Sequence, residues 1–265
     1  EAAEAADVEE DRLYGHKRGD EMPDWVADKQ KRLEKIRQAK AELEAEAKAA
    51  AEAEMHRRGQ AEVQRKAEGR QKSGRAPAPP KQEPDGKTQR NFTDPESRIL
   101  KTRDGYIQGY NAQAAVDEKA QIIVAHDLTQ SMSDHNQLVP LMDGIKDNLA
   151  CQPKEASADA GYLSEANLAA LAERKISAYV AAGRAKHPGE VKRRITGPLT
   201  KAMRDKLKRA GWRSRYRLRK QVVEPVFGQI KQARGFRPFL LRGFEKVRAE
   251  WALICTAHNL TKMAR

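Results

Sequence analysis

The stretch from Val222 to Lys231 reads VVEPVFGQIK, an apolar run that is interrupted by one acid, Glu224. Burial among apolar neighbours would raise the proton affinity of this carboxylate, so a bound metal ion or flanking arginine side chains would be needed to keep it ionised. The simpler alternative is a helical glutamate that pairs with Lys220 or Lys231, as surface acids commonly do. From this stretch alone both interpretations stay open.

The sequence around this stretch is strongly basic. The formal net charge is +13, and all of it falls in residues 91–265, because 20 basic and 20 acidic residues cancel in the first 90. Residues 191–220 contain 13 basic residues and one acid, and Trp212 and Tyr216 lie among the arginines. Arginine interleaved with aromatic residues favours a surface for the phosphate backbone of nucleic acid over a lysine-rich solubility face. The predicted DNA-binding residues are Arg213, Arg215, Arg217, Arg219, Lys220, Lys231, Arg234 and Arg237.

The composition limits the class of protein. Of the 265 residues, 39% are apolar and 34% are charged, which predicts a modest core and a solvated, extended part. Cys151 and Cys255 lie far apart and lack metal-ligand spacing, which favours two reduced thiols. No apolar run approaches the length of a membrane span, so we expect no membrane partner.

Three regions follow from composition. Residues 1–68 are rich in Ala, Glu, Lys and Arg, which predicts a charged helical arm, or half of a helical hairpin, over about 24–67. Its short apolar seam at Leu33, Ile36 and Leu43 favours a solvated helix over self-association. Residues 69–90 are punctuated by proline and glycine and are predicted to form a disordered linker. Residues 91–265 are predicted to form the compact core.

The core has the pattern of an α/β fold with a mixed sheet. A β-hairpin is predicted between Tyr106 and Leu128, with a turn at residues 117–120, and no apolar strand is expected before Tyr106. Asp134 is predicted to cap a helix that ends at Leu149. The remaining predictions are a short strand ending at Asp159, a helix capped by Ser164, a strand at 176–181, and helices at 199–210, 215–233 and 244–263.

Asp159 and Glu224 are the candidate catalytic and metal-binding residues. Asp159 ends a strand, and open α/β sheets place their sites at the carboxyl ends of strands, although an acid there can also serve as a cap. Two carboxylates that converge in a basic region suit Mg2+, which prefers oxygen ligands. A pair of such ions about 3.5–4 Å apart activates the attacking oxygen and stabilises the leaving oxygen in phosphodiester chemistry.

Four motifs follow one another along the chain: Tyr110-Asn111-Ala112-Gln113, Asp159-Ala160-Gly161-Tyr162, the stretch from Glu224 to Lys231, and Ala257-His258-Asn259-Leu260. In this order they resemble motifs of bacterial insertion-sequence transposases of the DDE class. The resemblance implies an RNase H-like mixed sheet flanked by helices, an Asp-Asp-Glu triad with Mg2+ or Mn2+, and nicking and strand transfer at transposon ends. It also implies double-stranded DNA as partner, a homo-oligomer on that DNA, and a cytoplasmic, nucleoid-associated bacterial location.

The resemblance assigns roles residue by residue. Asp159 matches the second carboxylate of the triad and Glu224 the third. In the signature around Glu224, Lys231 fits, whereas Lys220 stands where arginine is expected and Arg217 where tyrosine is expected.

The first carboxylate of the triad has no evident match. The family carries it on an Asp-Gly-Thr strand, so we expect this chain to be the carboxyl-terminal part of a transposase and not to cleave DNA alone. Asp117 and Asp127 are the substitutes within the chain, but they read better as a turn former and an exposed strand residue. A non-catalytic DNA-binding remnant of a transposase is the second hypothesis, and a coiled-coil adaptor built on residues 24–67 is the third.

Overall fold

The computed structural model describes Val8, Arg12, residues 24–69, Gly74 and residues 77–102, 105–182, 197–210 and 219–264. The chain divides into two compact units, Glu1–Phe92 and Thr93–Arg265.

The first unit is built on one long helix. A short helix α1 (Asp24–Ala27) precedes α2 (Lys29–Ala67), which is 39 residues long. Asp28 caps α2 by accepting hydrogen bonds from the backbone of Gln30 at 2.8 Å and Lys31 at 3.2 Å. These bonds lower the pKa of the Asp28 carboxyl below its ordinary value. The helix predicted over 24–67 is therefore present with one break, at Asp28.

The apolar seam of α2 is not packed within this unit. Leu33 and Ile36 are about half exposed, and Ala51 is the one buried residue of the helix. Further along the chain, Arg90 forms salt bridges to Glu42 at 2.6 Å and to Glu46 at 2.7 Å. Within this chain, α2 therefore presents its seam to solvent.

The second unit contains six strands and five helices among its described residues. Its elements are, in order, β1 (Arg98–Thr102), β2 (Gly105–Gly109), β3 (Asn111–Val116), β4 (Ile123–Thr129), α3 (Leu138–Leu149), β5 (Glu155–Ala158), α4 (Glu165–Glu173), β6 (Ser177–Val180), α5 (Pro198–Ala210), α6 (Arg219–Gly228) and α7 (Phe244–Met263).

The strands before residue 110 correct the sequence prediction. β1 is a strand ahead of Tyr106, where none was expected, and it pairs with β2 in an antiparallel hairpin. Its five residues carry only two apolar side chains between basic ones, so the pattern gave no strand signal. The segment from Tyr106 to Val116, predicted as the first strand of a hairpin, forms two strands, β2 and β3, separated at Tyr110. The hydroxyl of Tyr110 donates a hydrogen bond to Asp94 at 2.8 Å.

The next hairpin, β3–β4, confirms the predicted turn. The strands pair in antiparallel fashion from Asn111 opposite Thr129 to Val116 opposite Ile123, with a bulge after Ala115. The carboxylate of Asp117 accepts hydrogen bonds from the backbone of Lys119 and Ala120, as a turn former does.

Two apolar clusters hold the unit together. The first joins α3, α4 and α5 to β5 and β6, with Leu171 and Val180 fully buried. The second joins α6 and α7 to the β3–β4 hairpin around Trp251. Helix α6 begins at Arg219, in the segment where a helix over 215–233 was predicted, and after Gly228 it changes to a π-helical turn (Gln229–Ala233).

The described strands do not form one continuous sheet. β1 pairs with β2, β3 with β4, and β5 with β6, the last pair being parallel. The α/β class is confirmed, and both parallel and antiparallel pairs are present, but the expected single mixed sheet is interrupted between β3 and β5.

Candidate functional site

A cavity of about 1060 Å³ separates β3 from β5. Every residue of both strands lines it, together with the apolar face of α3 and the first turns of α6. Asp159 and Glu224 both line this cavity. The fold thus brings the two predicted site residues, 65 positions apart in the sequence, to the walls of one space.

Asp159 lies at the carboxyl end of β5 and is partly buried. Its Oδ1 atom accepts a hydrogen bond from the backbone N–H of Gly161 at 2.7 Å, so the side chain also caps the short 3-10 turn Ala160–Tyr162. Asp159 can therefore cap this turn and also serve as a site residue, because the hydrogen bond from Gly161 fixes its carboxylate at the end of β5.

Glu224 lies on α6 and is exposed, which favours the surface glutamate among the two interpretations that the sequence left open. Two apolar neighbours, Val226 and Ile230, are buried in the cluster around Trp251, whereas Val223 and Phe227 line the cavity together with Glu224. Periodicity explains the difference, because residues two positions apart on a helix face nearly opposite sides.

Pro225 helps to fix the position of α6. A proline inside a helix has no N–H to donate, so the carbonyl four residues earlier, that of Gln221, loses its helical partner. In the structure that carbonyl accepts a hydrogen bond at 3.0 Å from Nε2 of Gln121, which lies in the turn between β3 and β4. The proline next to Glu224 thus leaves the Gln221 carbonyl available for a hydrogen bond that joins α6 to the β3–β4 hairpin.

Gln121 also binds α7. Its carbonyl accepts a bond at 2.9 Å from Nε2 of His258, and its Oε1 accepts one at 2.7 Å from Lys262. The buried His258 accepts a bond through Nδ1 from Arg234 at 3.3 Å. One turn residue therefore joins the hairpin to both helices of the second cluster.

Asp134 is a functional candidate that the sequence prediction missed. It does not cap α3 as expected: Ser133 caps the short 3-10 turn Asp134–Asn136, and α3 begins at Leu138. The Oδ1 atom of Asp134 instead accepts bonds from the side chains of Asn111 at 2.6 Å and Gln113 at 2.8 Å. Asp134 also lines the cavity.

The carboxylates of Asp134 and Asp159 lie close together at Gly161. A Cβ atom at Gly161 would lie 3.0 Å from Oδ2 of Asp134 and 3.0 Å from Oδ1 of Asp159. The two oxygens are therefore at most about 6 Å apart, twice that distance. Glycine at this position leaves room for both acids, which gives a physical reason for the Asp-Ala-Gly-Tyr motif.

Tyr162 completes this group of side chains. Burial, reinforced by the charges of Asp134 and Asp159, raises its pKa well above the ordinary value, so the phenol keeps its proton. Its hydroxyl donates to Oε1 of Gln113, whose Nε2 in turn donates to Asp134. The chain of donors holds the Asp134 carboxylate in one orientation. No sequence signal pointed to this role, since an acid before a helix has the pattern of a cap.

The donor set suits a divalent metal only in part. Carboxylate oxygens are the ligands that Mg2+ and Mn2+ prefer, and Asp159 and Glu224 present them on one cavity. In the part of the chain that the structure describes, however, no three acidic, histidine or cysteine side chains are grouped closely enough to hold an ion. Asp117 lines the cavity as well, but its carboxylate is engaged in its own turn.

The predicted DNA-binding residues are only partly described. Arg213, Arg215 and Arg217 lie outside the described residues, and Arg219 and Lys220 are the first two residues of α6. Lys231 and Arg237 are exposed, and Nζ of Lys231 lies 5.5 Å from the ring centre of Phe227. Arg234 is partly buried against His258.

Comparison with known families identifies the class. The model of the transposase DDE domain matches residues 84–260, which is more than half of the chain. The chain therefore belongs to the DDE transposase family, a class of DNA-processing enzymes that use divalent metal ions. The match leaves out residues 1–83, so it does not extend to the charged arm. No curated protein and no solved structure matches the chain. Of the helices that the structure describes, none has the length and apolar character to cross a bilayer.

Proposed function

We propose that this chain carries the Asp159 and Glu224 ligands of a transposase that nicks and joins DNA at transposon ends. The observation that supports the proposal is the shared cavity: the acid at the end of β5 and the acid on α6 line one space within the family-matched region. When bound there, Mg2+ or Mn2+ would supply charge stabilisation for phosphoryl transfer.

The residues of this chain have separate tasks in that reaction. Asp159 is held by its bond from Gly161, and Glu224 is held through the tie between Gln221 and Gln121. Asp134 is a positioning residue, which keeps Asn111 and Gln113 in place beside Asp159. The basic side chains from Lys231 to Arg237 contact phosphates, with Arg234 also supporting His258.

Removal of either proposed ligand is expected to weaken metal binding. We expect Asp159→Asn and Glu224→Gln each to raise the Kd for Mn2+ by about tenfold or more, because each change replaces a charged oxygen ligand by a neutral amide. The whole chain is titrated with Mn2+, and the concentration of free Mn2+ is measured at each point by electron paramagnetic resonance.

Asp127→Asn is the matched control. This acid lies on β4 outside the cavity, where its Oδ1 accepts from the backbone of Leu128, so its loss should leave the Kd unchanged. Equal affinities in Asp159→Asn, Glu224→Gln and the unchanged chain would remove both residues from the metal site. That result would favour the second candidate function, a DNA-binding protein without catalysis, which the lack of a three-ligand group among the described residues supports.

DNA binding is expected to depend steeply on salt. Each neutralised phosphate adds about 0.9 to the slope of log K against log salt concentration, so Lys231→Ala and Arg237→Ala should each reduce that slope by about one. The slope is measured by fluorescence anisotropy with a labelled DNA duplex at several salt concentrations.

Lys146→Ala provides the comparison, because Lys146 is an exposed cation on α3 that was not predicted to bind DNA. A slope near zero for the unchanged chain would refute a surface that reads the phosphate backbone. Equal slopes in all three variants would place that surface away from Lys231 and Arg237.

A further inference from the structure

We propose that Leu240 and Leu241 form a leucine wedge, which inserts between the bases of bound DNA and opens the base stack at one step. The leucine wedge lies in residues 234–243, the segment that links the π-helical turn after α6 to α7. The inference rests on the proposed function only in requiring that the chain binds DNA, and it involves neither the metal nor phosphoryl transfer.

The two leucines are exposed, although the residue before them is anchored in the fold. Leu240 is 78% exposed and Leu241 is 47% exposed. Phe239 packs against the second apolar cluster, edge-on to Trp251. Exposed leucines are common on protein surfaces, so exposure alone does not define a partner. The rigidity and the charge of the segment do define one.

Two carboxylates hold the backbone of the segment in place. Glu250 on α7 accepts hydrogen bonds from the backbone N–H of Leu240 at 2.8 Å and from that of Leu241 at 2.9 Å. Glu96 accepts one from the backbone N–H of Phe244 at 2.8 Å, just beyond the segment. The leucine wedge is therefore ordered before any ligand arrives, which reduces the entropy cost of binding.

The segment carries only positive charge. Residues 225–244 contain four basic residues and no acid. Arg237 precedes the leucine wedge and Arg242 follows it directly, and both side chains are exposed. In DNA an apolar base stack lies between two rows of phosphates, so exposed leucines flanked by arginines match its chemistry.

A second copy of this chain is a poorer match for the leucine wedge. Pairing of the same segment from two copies in a twofold contact would bring Arg237 and Arg242 of one copy close to those of the other. Like charges in such a contact repel each other. DNA supplies phosphates for the arginines and an apolar interior for the leucines, so we assign DNA as the partner.

The leucine wedge predicts a preference for DNA whose stack is already open. Insertion into an intact duplex has to separate stacked bases, whereas a gap in the stack removes that cost. We expect the whole chain to bind a duplex with one abasic residue about tenfold more tightly than the same duplex intact. Both affinities are measured by fluorescence anisotropy at one salt concentration, with a central tetrahydrofuran residue as the abasic site.

A double variant with Leu240→Ala and Leu241→Ala tests the leucine wedge itself. It should reduce the preference for abasic DNA to about twofold or less, because alanine is too short to fill the gap. Leu260→Ala is the matched control, since Leu260 is an exposed leucine on α7, and it should keep the full preference. Arg242→Ala should weaken binding to both duplexes by the same factor, because a phosphate contact does not depend on a gap in the stack.

Glu250 is a positioning residue for the leucine wedge. Glu250→Ala removes the acceptor of two backbone N–H groups, so it should lower the preference for abasic DNA and leave the salt dependence of binding unchanged. Glu250→Gln keeps one acceptor oxygen and should restore much of the preference. Circular dichroism verifies that each variant is folded.

The outcomes separate this inference from the proposed function. Equal, salt-dependent affinity for the two duplexes would overturn the leucine wedge and leave DNA binding intact. A preference that the double variant does not reduce would also overturn it, since the flexibility of abasic DNA would then account for the preference. Binding to neither duplex would refute the proposed function and the leucine wedge together. In sedimentation without DNA, a dimer that the double variant converts to a monomer would assign the leucines to a second copy instead.

Discussion

Replacement of Trp251 by alanine is expected to lower the free energy of unfolding of the second unit by about 3–5 kcal/mol. Trp251 on α7 is 3% exposed and stacks on Phe227, with ring centres 6.1 Å apart. It also meets Phe239 edge-on at 6.3 Å, and its Nε1 atom donates to the carbonyl of Gln113 at 3.0 Å. The truncation thus leaves a large cavity and an unpaired backbone carbonyl at once.

Chemical denaturation monitored by circular dichroism measures the loss. Trp251→Phe keeps most of the apolar contact and loses the hydrogen bond, so it should fall between alanine and the unchanged chain. Leu253→Ala, two residues along the same helix and 70% exposed, should change the stability by less than about 0.5 kcal/mol. A loss below about 1 kcal/mol for Trp251→Ala would mean that the cluster does not depend on this side chain.

The second large effect is expected at His258, which is completely buried. His258→Leu keeps an apolar side chain of similar size but leaves the carbonyl of Gln121 and the guanidinium of Arg234 without their partner. Buried groups that lose a partner cost about 1–3 kcal/mol each, so the variant should be less stable by a similar amount at pH 8.

The same histidine is expected to make stability depend on pH. Burial lowers the pKa of His258 below its ordinary value of 6.5, so the unfolded chain takes up the proton first as the pH falls. Its contribution is therefore complete above pH 6.5 and is lost progressively below it. The stability difference between the unchanged chain and His258→Leu should shrink between pH 7 and pH 5. A difference that stays constant over this range would contradict a neutral, buried imidazole.

The sequence predicted the elements that have strong local signals. The hairpin turn at Asp117, the cap at Ser164 and the long α2 each depend on residues close together in the chain, and the structure has all three. β1 was missed because its short, basic sequence has no strand pattern, and it is formed by pairing with β2. Its existence depends on a partner strand rather than on its own composition.

The candidate site could be predicted only where a motif marked it. Asp159 and Glu224 were found through their motifs, whereas the place of Asp134 depends on contacts with Asn111 and Gln113, more than twenty positions away. The sequence left the burial of Glu224 open, because an apolar run does not by itself show which of its side chains share one face of a helix. In the structure Val226, two positions along, is buried on the opposite face, and Glu224 is exposed.

Gln121 has a consequence for how the protein reaches its folded state. Its bonds to Gln221, His258 and Lys262 span 100, 137 and 141 residues of the chain. Closing such long loops costs entropy before any contact forms, and non-local topologies accordingly fold slowly. On the ribosome, the bonds from Gln121 to His258 and Lys262 can form only after α7 has been synthesised, so the tie between the hairpin and the last helix is among the last contacts to form.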